Sequence, residues 1–295
     1  MNKPAFATRA AQPAALWWRV GRHVMRLMNE KNLGLIAAGV AFYAILAIFP
    51  GLAATIALWG IVGDPGLALT QLEEFQAVIP SDVYRLLAGQ LSKLSTADGL
   101  TLGWASIVSF LFAFWSARAG VAAIMRGLDT IYDAPNSAGF SQFFRSLLLT
   151  ASLIGVLLVA MACIVILPLI LAFVPLGPWT GLGVEVVRLV VGFGVLLIGF
   201  ALIYRLGPNL EGRYPRLISA GAVFASVCWV AASAGFSIYL RNFGTYNEVY
   251  GSIGAVIVML MWLFISAYLV LLGGALNAQL ARNAANPEPP ATSTP

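Results

Sequence analysis

The chain has 295 residues, of which 60% are hydrophobic and only 10% charged, and its formal net charge is +5. That balance excludes an ordinary soluble domain, in which about a quarter of the residues are charged. The two cysteines, Cys163 and Cys228, lie inside apolar runs, where a thiol behaves as a small apolar group, so neither a disulfide nor a metal framework is expected.

Residues 1–32 read as a basic amphipathic segment. Within it Trp17, Val20, Val24, Leu27 and Met28 recur at helical spacing, while Arg19, Arg22, His23 and Arg26 occupy much of the remaining face. Tryptophan with arginine on one helix suits the headgroup layer of anionic lipid, where each basic residue contributes about 1 kcal/mol. The plainer reading is a topology anchor. The first apolar run begins only after this segment and is too long for a signal-peptide core, so cleavage is not expected.

A membrane-spanning helix needs about 20 apolar residues to cross roughly 30 Å of hydrocarbon. Six segments of residues 33–280 qualify: Leu33 to Val62, Leu100 to Ala117, Ser146 to Val174, Leu182 to Tyr204, Leu217 to Leu240 and Ser252 to Leu276. None alternates with a period of two, and backbone in lipid must satisfy its own hydrogen bonds, so the expected fold is an all-α polytopic bundle. Pro50 and Pro168 fall inside the first and third spans, where the lost hydrogen bond predicts a kink or hinge.

Between spans one and two, residues 63–99 form an outward loop. Leu69, Leu72, Phe75, Val78 and Ile79 trace one short amphipathic helix there, and Val83, Leu86, Leu87, Leu91 and Leu94 trace another after the start signal Pro80-Ser81-Asp82. They read as a lid or as interfacial helices. In span five, Ser219, Ser226 and Ser233 recur every seven residues beside Ala222, Ala225, Ala232 and Ser237. Such small residues mark a helix–helix seam, within the chain or between copies of it.

Span six is introduced by "RNFGTYNEVYGSIGAV". Its asparagines and glycines suggest a short outward turn over Arg241 to Gly251. Tyr239, Asn242, Tyr246, Asn247, Glu248 and Tyr250 then gather on the outer side. Residues 281–295, ending in "NPEPPATSTP", read as a disordered tail.

Lysine and arginine placement orients the bundle. Lys3, Arg9, Arg19, Arg22, Arg26 and Lys31 precede span one, Arg118, Arg126 and Arg145 separate spans two and three, Arg205, Arg213 and Arg216 separate four and five, and Arg282 follows span six. The other side holds only Arg85, Lys93, Arg188 and Arg241. Both termini are therefore expected in the cytoplasm.

Carboxylates are absent from the middle of every span, which disfavours coupling through a buried acid. Glu185 and Arg188 suit a mutual pair, and near mid-depth the polar side chains are Tyr43 and a few serines. His23 is the only histidine, no phosphate-binding glycine loop follows a strand, and Asp129 and Asp133, four apart, read as one face of a solvated helix end and not as a metal site. Neither enzymatic chemistry nor a cofactor or metal is expected, and the basic surface needs no nucleic acid to explain it.

The stretches "AAGVAFYAILAIFPG", "FWSARAGVAAIMRGLDTIY", "LIYRLGPN" and "NFGTYNEVYGSIGAVIVMLMWLFISAYLVLLGGALNAQL" together resemble the YihY/BrkB family of bacterial inner-membrane proteins, over about Leu33 to Leu280. The resemblance implies six spans, cytoplasmic ends and the bacterial cytoplasmic membrane. Family members have carried virulence-factor and ribonuclease BN labels; the residues give a nuclease no support. It draws attention to Arg118, Arg126 and Asn277 without assigning them a role. The expected function is a transporter or lipid-translocating protein. Arg118 and Arg126 would grip an anionic headgroup, Tyr43 and the Tyr/Asn turn would contact substrate, and spans one and three would border the cavity. The alternative is a non-transporting scaffold with an envelope protein partner. Membrane lipids are expected partners under either reading, and a homo-oligomer stays open.

Overall fold

The computed structural model describes residues 13–62, 99–135, 140–172, 180–210, 218–241 and 244–285. The expected lid helices, the proline-rich tail and Asn242 lie outside these residues. Seven helices run through the described part: α1 (Pro13–Glu30), α2 (Leu33–Val62), α3 (Gly99–Ile131), α4 (Phe140–Ala172), α5 (Thr180–Leu206), α6 (Ala220–Arg241) and α7 (Gly244–Ala285). No strand occurs among the described residues.

Five of these helices are long and apolar enough to cross a membrane, and α1 with α2, bent by 66° at their break, makes up to six. The fold is all-α, as the unbroken apolar runs predict. α2 has the bounds of its apolar run, and α2 and α4 remain helical through Pro50 and Pro168. One missing backbone bond is tolerated where the rest of the ladder keeps its polar groups paired.

Two boundaries differ from expectation. α3 does not stop near Ala117 but continues to Ile131, so Arg118 and Arg126 stand on the same helix as span two. Its 33 residues rise about 50 Å, more than the roughly 30 Å hydrocarbon layer needs. α7 begins at Gly244, so most of the stretch expected as an outward turn is the first two turns of a 42-residue helix. Turn propensity in Gly-Thr-Tyr-Asn amounts to at most about 1 kcal/mol per residue. Extending the helix keeps backbone groups bonded beside the apolar run, and that need prevails.

Helix ends explain the two non-glycine residues with positive φ among the described residues, Asn32 (50°) and Asp133 (49°). Asn32 stands in the break between α1 and α2, where the Leu35 amide donates to its carbonyl (3.0 Å). Asp133 terminates α3 in a Schellman arrangement, the Ala134 amide reaching back to the Asp129 carbonyl (2.9 Å). Asparagine and aspartate accept this conformation more readily than other side-chain-bearing residues.

The apolar stripe of α1, comprising Val20, Val24, Leu27 and Met28, is buried within the protein. Its opposite face exposes Trp18, Arg22, His23 and Arg26, with the Arg22 guanidinium 5.7 Å from the Trp18 ring centre.

The chain divides into two compact units, one formed by Met1–Ile36, Met125–Val230 and Tyr268–Pro295, the other by Ala37–Ile124 and Ala231–Ala267. The first has a core of Met28, Leu33, Met125, Leu128, Ile131, Leu149, Tyr204 and Leu271, all fully buried. Its small-residue seam is real and lies within one chain: Ala222, Ala225 and Ser226 of α6 are fully buried, and Gly221 abuts Gly273 of α7. Farther along α6, Ser237 is exposed, so the stripe of small residues extends beyond the seam. In the second unit α2 and α3 approach closely where Gly120 faces Tyr43, a Cβ on the glycine falling 3.5 Å from the tyrosine Cβ.

Candidate functional site

The first unit holds two contrasting features, a polar junction and an apolar hollow. The junction collects the ends of α3 and α5, the start of α6 and the last turns of α7. Asp129, 4% exposed, accepts the Asn209 amide N–H at 2.7 Å. Arg145, at the start of α4, donates through Nη2 to the Pro208 carbonyl at 2.7 Å and to the Leu206 and Gly207 carbonyls at 3.3 Å. Those carbonyls terminate α5 and have no partner within that helix, so the guanidinium caps it.

Tyr204 Oη donates to the Val270 carbonyl at 2.8 Å, fastening α5 to α7. Asn277 accepts the Gly221 N–H at 2.7 Å and donates to Ser219 Oγ at 2.8 Å. Ser219 Oγ in turn accepts the Ala222 N–H at 3.2 Å. The start of α6 is thereby capped twice, once by its own serine and once from α7. Glycine is required where these helices meet: a Cβ on Gly273 would collide with Tyr204 Oη and the Gly221 carbonyl, and one on Gly221 with the Gly273 carbonyl and the Asn277 amide.

At the rim, Asp133 accepts from Lys31 Nζ at 2.9 Å and from Arg282 Nη2 at 2.7 Å, and Arg282 also reaches the Ile131 carbonyl at 2.9 Å. The hydrogen bond from Lys31 holds the Asp133 carboxyl below the usual carboxylate range against the opposing effect of burial, with the Lys31 and Arg282 charges adding to the lowering. Burial pushes the neighbouring Tyr132 hydroxyl up to about 12. Asp129 and Asp133 do not share a helix face, contrary to expectation. Asp129 points inward, while Asp133 lies past the helix end with its side chain 59% exposed.

The second feature is a hollow of about 450 Å³ lined by α4 from Leu153 to Cys163, by α5 from Val191 to Ile203, and by Trp229 of α6. No charged, hydroxyl or amide side chain lines it. It is bordered by spans three, four and five, and no described residue of α2 lines it.

The other residues singled out from the sequence are dispersed. Arg118, half-buried on α3, has its guanidinium 4.8 Å from the Trp115 ring centre. Arg126 is exposed on the same helix, eight residues on, which corresponds to about 12 Å of rise and about 80° of rotation. Tyr43 packs edge-to-face with Phe42 at 5.8 Å, and Tyr239 stacks with Phe236 at 6.0 Å. Tyr246, Asn247, Glu248 and Tyr250 are helical in backbone, but their side chains lie outside the described set, as do those of Pro168, Glu185 and Arg188. Asn277 reaches the junction, where both ends of its amide engage α6.

Sequence reasoning passed over Lys31, Arg145, Tyr204, Asn209, Ser219 and Arg282 as partners. The usable signal was Gly-Pro-Asn directly after an apolar run, which marks a helix end whose carbonyls need a donor. Among the described residues no group of three or more His, Cys, Asp or Glu side chains could hold a metal ion.

Comparison with known proteins follows the same lines. The chain is 30% identical to YfkH of Bacillus subtilis (strain 168), named as a ribonuclease-like protein, over 263 residues, 85% of this chain and 91% of the relative. It is 26% identical over 268 residues to a UPF0761 membrane protein of Verminephrobacter eiseniae and 28% identical over 284 residues to one of Chlorobium limicola. These alignments take in 90% of this chain in both cases, but only 62% and 61% of the respective relatives. No solved structure matches. The family model described as Virulence factor BrkB matches residues 24–294, and the chain belongs to that family of membrane proteins.

Proposed function

We propose that the protein is a transporter or lipid-translocating protein that takes an anionic or amphipathic substrate. The observation that carries this reading is the hollow of about 450 Å³ with its almost wholly apolar lining. That volume falls within the usual range for small-molecule sites, but the lining lacks the polar groups that would orient a water-soluble substrate. The apolar portion of an amphipath fits it.

The bundle belongs to the bacterial cytoplasmic membrane in this reading, with both termini inside, as the lysine and arginine placement favours. Arg118 and Arg126 are the cations offered to the headgroup. Their separation along α3 suits successive contacts better than a single grip. Tyr43, Tyr239, Asn242, Tyr246, Asn247, Glu248 and Tyr250 are the outer contacts. No catalytic step, cofactor or nucleic acid is involved.

Proteoliposomes carrying a fluorescent phosphatidylglycerol test the proposal. Dithionite should reach inner-leaflet label only when wild-type protein is present, and less of it with Arg118→Ala/Arg126→Ala. Bleaching equal to protein-free vesicles would refute transport.

A second reading, a scaffold for envelope assembly, is favoured by the junction. Polar residues from three of the resemblance stretches make bonds there that hold helices together. It requires a stable protein partner on mild solubilisation, and a homo-oligomer is compatible with either reading.

A further inference from the structure

We infer that the hollow on α4 and α5 holds one acyl chain of a phospholipid from the leaflet on the junction side, with the lipid's polar end toward the Arg145 cap; this deepens the lipid-handling reading and rests on it. The dimensions point to a single chain. Leu153 to Cys163 and Val191 to Ile203 are eleven and thirteen residues, whose ten and twelve rises cover about 15 and 18 Å of helix. Half of the roughly 30 Å hydrocarbon layer is about 15 Å. The hollow is therefore one leaflet long.

Its position agrees with its length. Ile203 lies one turn before Leu206, the first of the three carbonyls that Arg145 holds. Arg145 itself is eleven and eighteen residues before Val156 and Cys163 on α4, which places all three on one stripe of that helix. The groove thus runs from the polar junction toward mid-membrane and ends on a cation at the junction side. Gly192 and Leu157 on its walls are exposed, so it opens outward to where lipid would lie.

Something must fill it. Water would find too few polar partners along the lining to be held, and a void would forfeit the dispersion contacts of thirteen residues. Because neighbouring lipid is equally apolar, residence depends on packing and on the polar end, not on a hydrophobic driving force. Glycines widen the groove: a Cβ on Gly192 would meet nothing within 4 Å, and one on Gly199 only the Val156 Cγ1 at 3.9 Å. Gly194, by contrast, has open space around it but does not line the hollow.

The test uses full-length protein in proteoliposomes containing phosphatidylglycerol with a diazirine midway along one acyl chain. After photolysis, adducts are mapped by mass spectrometry. The expected result is that they concentrate on α4 and α5 between Leu153 and Ile203, fall to the level of the remaining surface in Gly192→Leu/Gly199→Leu, and persist in Gly194→Leu. Adducts spread evenly over all helices, or unchanged by the double substitution, would overturn the inference, as would crosslinks between two protein copies through this face. Label translocation measured in the same vesicles separates this claim from the proposed function. Adducts lost with translocation intact leave the chain site standing and remove it from the transport route, whereas evenly spread adducts with active translocation reject the site alone.

Discussion

The polar junction and the apolar hollow lie about two turns apart along α4, yet they differ in almost every physical respect. At the junction, side chains from four helices are hydrogen-bonded to the backbone of neighbouring segments, mostly at helix ends, and Gly221 and Gly273 have no room for a methyl group. In the hollow, no charged, hydroxyl or amide side chain is present and Gly192 faces open space. Of the residues that attract attention in the sequence, Asp129 and Asn277 tie helices together at the junction, whereas the open space lies where the sequence is plainest.

The largest effect expected from that contrast is at the α6–α7 crossing. Gly273→Ala and Gly221→Ala should each destabilise the protein by about 3 kcal/mol, the upper end for overpacking, because the obstructing atoms are carbonyl oxygens and a buried phenol that cannot yield easily. Thermal unfolding in detergent would show it. A change too small to resolve would mean that the two helices are not in close contact. Asn277→Ala comes next. It leaves the Gly221 N–H buried and unpaired, which costs about 1–3 kcal/mol. If Asn277 serves as a cap, this variant unfolds earlier but retains wild-type lipid adducts; lost adducts at unchanged stability would restore it as a substrate contact.

Gly192→Ala tests the opposite side of the comparison. With nothing within 4 Å of the new methyl group, the substitution should stabilise by about 0.4–1 kcal/mol through reduced freedom of the unfolded chain. A destabilised variant would show that the hollow is tighter than its walls suggest.

Much of the fold was legible because the spans are long and their backbone must close on itself in lipid, and α2 follows its apolar run from Leu33 to Val62. The ends of helices were less legible. Gly-Thr-Tyr-Asn before α7 has the composition of a turn, but only the continuation of its backbone ladder decides that it is helix. Asp129 and Asp133 illustrate the limit for sites: a spacing of four predicts a shared face, yet the chain leaves the helix between them, and the reversal at Asp133 redirects its carboxylate toward Lys31 and Arg282. Partners 102 and 149 residues away leave no local trace. The hollow is legible only in retrospect, because glycines among valine and leucine read simply as span.

The smallest effect belongs to the Asp133 cluster, which ties the α1–α2 break to the ends of α3 and α7 but is open to solvent. Asp133→Asn keeps a side chain that tolerates the left-handed backbone while removing the charge. Exposed pairs contribute little, so the loss at neutral pH should be below about 1 kcal/mol. The sharper readout is pH. Because Lys31 lowers the folded-state pKa of Asp133 from its ordinary 3.8, the carboxylate's contribution is fully present above that ordinary value and is lost as pH falls through the lowered one. Wild-type protein should therefore lose part of its stability advantage over Asp133→Asn as pH drops from about 5 toward 3, and the two unfolding temperatures should converge. Parallel curves over that range would mean that the ion pairs contribute nothing, and that Asp133 serves the end of α3 through its backbone alone.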